Sequence, residues 1–477
     1  MTTFFICLAL LVGSYFIYGR FLEKVANIDG DAKVPSETCY DGVDYVPLPR
    51  WRIFLIQLLN IAGTGPIFGA ILGACYGPVA FIWITVGGIF IGAMHDFLAG
   101  VISVRNNGYT LPETIGKYLG RGTRGLAVAF IPMLMLLVGG VFIVTPSNIL
   151  TGMTGVPYEV WLGVIIVYYF VAAILPINKI IAKVYPIFGA ALIFMVVALF
   201  GVLLFGDYEV PELTSMDNIH SKAATLPLIP TLCISIACGA ISGFHATQSP
   251  LMARCIKSEK QCRSVFFGAM ITESVIALIW AAVAMAFFGG VEGLNGALAA
   301  VKNDAGTIVS TITSNTLGVV GSILALLGLV AAPITSGDTA FRSARLIIAD
   351  TFHIDQRSLY KRLLVSIPLF AIGVSIAFID FDVIWRYFAW SNQALSVLVL
   401  WMITSWLYRR RSKVSFIALL PAIFMTYICT SFIFISNQFV GLGACDIAYI
   451  YGGIVTALIT GLVIVKIRRD IRNEAEL

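Results

Sequence analysis

Two interruptions in long apolar stretches carry the residue types that can hold a charged solute. Asn60-Ile-Ala-Gly-Thr-Gly-Pro-Ile-Phe-Gly69 breaks one stretch, and Gly239-Ala-Ile-Ser-Gly-Phe-His-Ala-Thr-Gln-Ser-Pro250 breaks another. Glycine loosens a helix, while proline removes a donor and clashes with the preceding turn. A broken helix gains a new N-terminus, with unpaired N–H groups and roughly half a positive charge. Pro66 suits the first position of a resumed helix, which would turn the N–H groups of Ile67, Phe68 and Gly69 toward the gap. In the second break the helix is expected to resume between Phe244 and Gln248. Two such ends converging would hold a carboxylate. The freed carbonyls of Ala62, Gly63 and Gly239 would suit a cation. Gly63, Thr64, Gly65, Ile67 and Phe68, with Ser242, Gly243, Phe244 and His245, are therefore the expected substrate-binding residues. The competing reading of each break is a proline kink that serves packing alone.

Ionisable side chains inside apolar stretches are few. Glu273 stands nine residues into one stretch with no basic residue in it, and a group at that depth faces the bundle interior as a proton-carrier candidate, or bonds a neighbouring helix. His245 lies in the second break and can hydrogen-bond a carboxylate or relay a proton. His95 and Asp96 end a stretch; adjacent residues point about 100° apart on a helix, so each is expected to reach a different partner, with a role at an inner gate. Asp382 and Arg386 have the i, i+4 spacing of a local ion pair, which would serve as an outer latch or attract entering anions. Asn392 and Gln393, deeper in the same stretch, would line a cavity or bond another helix.

The elements that position these groups are membrane spans. Of 477 residues, 59% are hydrophobic and 12% charged, and mean hydropathy is +0.92. Soluble domains carry about 25% charge. Thirteen stretches have the roughly 20 apolar residues that a span needs: 3–19, 53–76, 78–101, 126–144, 158–176, 184–206, 227–248, 264–288, 307–333, 362–379, 383–407, 414–436 and 446–466. With the C-terminus inside, 28 of the 31 Lys and Arg residues fall on the cytoplasmic side, leaving Lys222, Lys302 and Arg386 outside. That orientation puts the N-terminus outside. Residues 1–19 lack a positive n-region and read as an uncleaved span rather than a signal peptide. The basic residues set topology, so the net charge of +5 predicts no nucleic-acid partner. No CxxC, HExxH, GxSxG or GxxxxGK[ST] occurs, and the nine cysteines and four histidines show no metal spacing. No enzyme, cofactor, metal centre or ATP drive is expected.

The broken spans are the second and the seventh. Spans two to six (53–206) and seven to eleven (207–407, with the preceding outer loop) form two sets of five, and an odd number inverts the second set. Such inverted repeats place the site of a secondary transporter near the bilayer midplane. Span one, with the loop to residue 52, and spans twelve and thirteen in 408–477 are additions to that core. A channel is the rival class, since broken helices also build filters, but no TVGYG filter is present.

Arg50-Trp-Arg-Ile-Phe-Leu-Ile-Gln-Leu-Leu-Asn-Ile-Ala-Gly-Thr-Gly-Pro-Ile-Phe-Gly-Ala-Ile-Leu-Gly73 resembles the carbon starvation protein A (CstA) family. So do Met94-His-Asp-Phe97, Ser242-Gly-Phe-His-Ala-Thr-Gln-Ser-Pro250, Thr335-Ser-Gly-Asp-Thr-Ala-Phe-Arg342 and Phe381-Asp-Val-Ile-Trp-Arg386. The resemblance, over about residues 50 to 395, implies an all-α, LeuT-like five-plus-five fold. It also implies a bacterial inner-membrane carrier for peptides or pyruvate, the best-known members being longer. By the same resemblance Thr335 and Ser336 face span two, where their hydroxyls and its carbonyls, Ala62 among them, would bind a coupling sodium. Asp338 would replace that sodium by carrying a proton, or else pair with Arg342. Lys183 begins a core helix in which some related carriers use a lysine in place of sodium; topology is its other reading. The expectation is a secondary symporter that imports a short peptide or pyruvate by alternating access. Asp338 or Glu273 would carry the proton, and sodium coupling is the alternative. The oligomeric state is left open.

Overall fold

The computed structural model describes residues 1–174, 181–301, 303–356, 358–379 and 381–475, and among them no strand occurs. The side chains of Lys183 and Asp382 lie outside the described residues, so the expected roles of Lys183 and of the Asp382–Arg386 pair fall there too.

Helices lie under every expected apolar stretch, because in lipid only a helix satisfies its own backbone. By length and apolarity eight described helices can cross a membrane, or nine when the bent pair Arg50–Ile61 and Gly65–Ala74 counts as one span. The stretches 158–176, 227–248, 307–333 and 383–407 do not meet that test among the described residues. Exposed apolar side chains such as Ile17 (77%), Phe205 (90%) and Val319 (80%) cover the lipid-facing sides.

The two broken stretches sit at the centre. Arg50–Ile61 packs against Gly268–Phe287, Ile181–Phe205 and Ala305–Thr351. Gly243–Ala253 packs against Met94–Arg105 and Phe381–Arg409. The long helix Arg121–Thr154 lies along Ala305–Thr351. Thr2–Phe16 covers the flank of Gly268–Phe287, and Phe416–Ile435 with Asp446–Ala475 forms a pair against Phe381–Arg409.

One boundary differs from the sequence expectation. Residues 334–362 read as a loop, yet the helix Ala305–Thr351 runs 47 residues, with a kink at Gly318. Its charged continuation does not end at an interface because Arg342 and Arg345 are both buried and both reach Asp44.

Candidate functional site

The first break is a bend of 55° between Arg50–Ile61 and Gly65–Ala74. Proline stands in the first turn of the resumed helix, as its fixed φ favours. The donors expected to be free are not all free. The N–H groups of Ile67 and Phe68 donate to the Thr64 carbonyl at 3.2 and 2.8 Å. The helix resumes at once, so Thr64 accepts what the gap was expected to leave open. The polar atoms without a protein partner are instead side chains: both ends of Gln57 and Asn60, and the Thr64 hydroxyl, all fully buried.

In the second break Leu228–Ser235 ends, the chain runs unwound through 236–242, and Gly243–Ala253 follows. Ser242 is extended at its N-terminus. The Phe244 N–H, expected to face a ligand, donates to Asn392 Oδ1 at 2.7 Å, and the Ser242 hydroxyl donates to the same oxygen at 3.1 Å. Asn392 thus caps this helix from another element. Gln393 Nε2 donates to the Cys233 carbonyl at 2.9 Å, while its Oε1 is unpartnered. The two breaks touch. A Cβ on Gly65 would lie 2.3 Å from Cys238 Sγ, so only glycine allows this approach.

Four titratable groups converge on the second break. His95 Nδ1 lies 2.8 Å from Asp96 Oδ1, and His245 Nδ1 lies 2.8 Å from Asp96 Oδ2. His245 Nε2 is 3.3 Å from Glu273 Oε2, without hydrogen-bond geometry. All four side chains are fully buried. The expectation that His95 and Asp96 cannot pair is corrected. The 100° rule fixes the Cα–Cβ bonds but not the far ends of the side chains, and the second carboxylate oxygen still reaches His245. These residues pack in the interior beside the second break. The thiol of Cys238 joins them: the ligand atoms of Cys238, His245 and Glu273 all lie within 4.8 Å of one another.

Beside the first break, the Ser336 hydroxyl donates to the Leu59 carbonyl at 2.8 Å, and that of Thr335 to Ala332 at 2.8 Å and Leu59 at 3.4 Å. The span-two carbonyl engaged is thus Leu59, one turn before Ala62 and Gly63. Asp338 Oδ2 accepts from the Tyr168 hydroxyl at 3.3 Å, and Oδ1 has no partner. Its pairing with Arg342 does not occur, because Arg342 reaches Asp44 at 3.0 Å and the Ala172 carbonyl at 2.6 Å.

Asp44, invisible in the sequence, ties the loop before the first broken span to the helix Ala305–Thr351. It is 4% exposed and also lies 3.7 Å from Arg345. Burial raises its carboxyl pKa, but the guanidiniums of Arg345, Arg342 and Arg254 outweigh that and hold it below the usual carboxylate range. Its loop is tied down further by Leu48 N–H to the Cys255 carbonyl (3.1 Å) and by Arg254 over the Tyr45 ring (4.9 Å).

A cavity of about 670 Å³ opens at the other end of the first broken span. Phe68, Leu72 and Cys75 line it, with Lys222, His220, Trp385 and Arg386. Burial and the adjacent Lys222 keep the His220 pKa below its ordinary value, so the ring is neutral at pH 7. No acidic residue stands among the described lining residues. Between cavity and second break run aromatic rings: Phe68–Trp385 at 6.2 Å, Trp385–Phe388 at 5.5 Å, Phe388–Phe142 at 6.3 Å and Phe142–Phe244 at 6.5 Å. Sequence reasoning gave Phe68 and Phe244 but missed Phe142, Trp385 and Phe388, which carry no local signal beyond being apolar.

The chain matches the family model described as carbon starvation protein CstA over residues 1–160 and 144–327. It is 40% identical to an uncharacterized membrane protein of Haemophilus influenzae, over 63% of this chain and 95% of that one. It is 27% identical to the peptide transporter CstA of Campylobacter jejuni, over 63% of this chain and 52% of that one. It is also 27% identical to the pyruvate/proton symporter BtsT of Escherichia coli, over 56% and 46%. The chain thus spans about half the length of these named transporters. Among solved structures, MhsT in complex with L-phenylalanine aligns with a TM-score of 0.56 at 14% identity, over 88% of this chain and 99% of that one. The LeuT-like fold is shared. Relatives and neighbours are transporters rather than enzymes. This multi-pass bacterial membrane protein belongs to the carbon starvation protein CstA family.

Proposed function

We propose that the protein is a proton-coupled secondary transporter that imports a small carboxylate-bearing nutrient by alternating access. The observation that carries this reading is the cavity of about 670 Å³, whose described lining has Lys222 and Arg386 but no acid, and whose floor is Phe68 of the first break. A cationic entry concentrates anions. The basic residues of the described lining suit a carboxylate, whether a pyruvate-like anion or the C-terminus of a short peptide, and named relatives carry one or the other.

In this reading thirteen spans form a five-plus-five inverted repeat with one span before and two after, the N-terminus outside and the C-terminus in the cytoplasm of a cell with an inner membrane. The cavity is then the outer vestibule and the Asp44 loop the cytoplasmic closure. The substrate passes the aromatic rings and lodges between the breaks, where Asn60, Gln57, Thr64 and Gln393 offer unspent polar atoms. Asp338, with one free carboxylate oxygen beside the first break, carries the coupling proton; Glu273 is the other candidate. Sodium coupling is supported by a different observation, the convergence of Thr335 and Ser336 on the Leu59 carbonyl.

Purified protein in proteoliposomes tests the reading, with labelled pyruvate and a labelled dipeptide under an imposed proton gradient and then a sodium gradient. Uptake of pyruvate or of the dipeptide, driven by protons, is expected. Uptake whose pH dependence is unchanged in both Asp338→Asn and Glu273→Gln would remove the proton assignment. Conductance without saturation would make the protein a channel.

A further inference from the structure

We propose that Cys238, His245 and Glu273 form a binding site for a divalent transition-metal ion of the zinc class. They offer one thiol, one imidazole and one carboxylate, a donor set that suits such ions. Their ligand atoms all lie within 4.8 Å of one another, and His245 Nε2 is already 3.3 Å from Glu273 Oε2. Donors around a tetrahedral ion stand about 3.3–3.8 Å apart, so a contraction of about 1 Å closes the site.

Three independent features point to a ligand there. His245 Nε2 and both Glu273 oxygens have no hydrogen-bond partner, although both side chains are fully buried. The 3.3 Å approach of His245 Nε2 to Glu273 Oε2 lacks hydrogen-bond geometry, polar atoms so poorly satisfied at such depth are costly, and a cation satisfies all three at once. Asp96 takes His245 Nδ1 at 2.8 Å, which leaves Nε2 for the side of Glu273. A carboxylate behind a histidine is the usual second layer of a metal site. Finally, the unwound stretch brings Cys238 and His245 together. On an unbroken helix residues seven apart are separated by about 10.5 Å along the axis. The break that looked like a substrate feature therefore also assembles the donors.

Three protein ligands leave a fourth position open, as in sites that exchange water for an incoming ligand. A metal held by Glu273 leaves Asp338 as the residue for the coupling proton.

The test uses detergent-purified full-length protein, stripped with chelator and titrated with Co²⁺ in the absence of substrate or gradient. The expected result is one Co²⁺ per chain, with a near-ultraviolet thiolate-to-cobalt band that Zn²⁺ abolishes. Cys238→Ser removes that band, while Cys262→Ser leaves it. Asp96→Asn, which spares the three donors, weakens Co²⁺ binding by about ten- to a hundredfold. A folded protein with no such band, or a band that survives Cys238→Ser, would overturn the site. Because binding is read without transport, failure here leaves the carrier reading intact, and failure of uptake leaves the metal reading intact.

Discussion

Replacing Asp44 by asparagine is predicted to release its loop from the helix Ala305–Thr351. The carboxylate lies 3.0 Å from Arg342 and 3.7 Å from Arg345, each guanidinium being 1% exposed. Removing one partner of a buried ion pair costs about 3–5 kcal/mol, because the remaining charge is left uncompensated. Arg342 keeps the Ala172 carbonyl at 2.6 Å, which argues for the lower end. A loss of about 3 kcal/mol shifts a two-state equilibrium about a hundredfold. Cys255 is the reporter: it is fully buried, and its Sγ lies 3.9 Å from the Asp44 carbonyl beneath the loop. In a background where the half-exposed Cys39 and Cys445 are serine, a membrane-permeant maleimide should label Cys255 up to about a hundredfold faster in Asp44→Asn, if alkylation follows that opening. Thermal melting would verify that the variant is folded. Labelling no faster than in the parent, in a folded variant, would refute the reasoning that charge holds this loop.

The same carboxylate makes a pH prediction. Its pKa lies below the ordinary value, so the stabilisation is present above the unfolded value and is lost only as pH falls through the lower folded one. Cys255 labelling, divided by the labelling rate of the unfolded chain at the same pH to remove the thiol's own ionisation, should therefore stay flat from pH 5 to 8, and a ratio that rises toward pH 5 would contradict the assignment. Gly65→Ala should abolish uptake and lower stability by about 1–3 kcal/mol, since its Cβ would meet Cys238 Sγ at 2.3 Å; normal uptake would show that the breaks need not touch. Asn392→Ala should cost about 1 kcal/mol through the lost helix cap, read as a lower melting temperature, with Asn392→Asp retaining most of it. Lys222→Ala should raise KM most at low ionic strength and little at high salt, because an exposed vestibule charge is screened. An equal effect at both would mean direct contact with the substrate.

Much of the helix content and both breaks were legible because they depend on local properties. Apolar runs declare helices, and Gly65, Pro66, Gly239 and Gly243 declare where backbone regularity fails. Thr335 and Ser336 were reached through family resemblance, although which carbonyl they meet was not, since every residue has one. What remained hidden is non-local. Asn392 caps a helix 148 residues away in the chain. Asp44 sits in a polar loop that nothing distinguishes until two arginines from another element close on it. The helix continuing to Thr351 was read as a loop for the same reason, because charge that finds a buried partner looks in sequence like charge that finds water. The error at His95 and Asp96 came from treating Cβ directions as if they fixed the ends of side chains.

The row of rings from Phe68 through Trp385, Phe388 and Phe142 to Phe244 has an energetic meaning for the cell. Its phenylalanines are nearly or fully buried. Water excluded from such a partition cannot form a continuous wire, and protons do not cross apolar packing without one. In the carrier reading proposed above, such packing would keep the ion gradient from being short-circuited through the idle protein, and the ratio of ions consumed to solute gained would stay close to stoichiometric. Slippage, the futile passage of one without the other, would on that reading be restrained by aromatic packing rather than by charge.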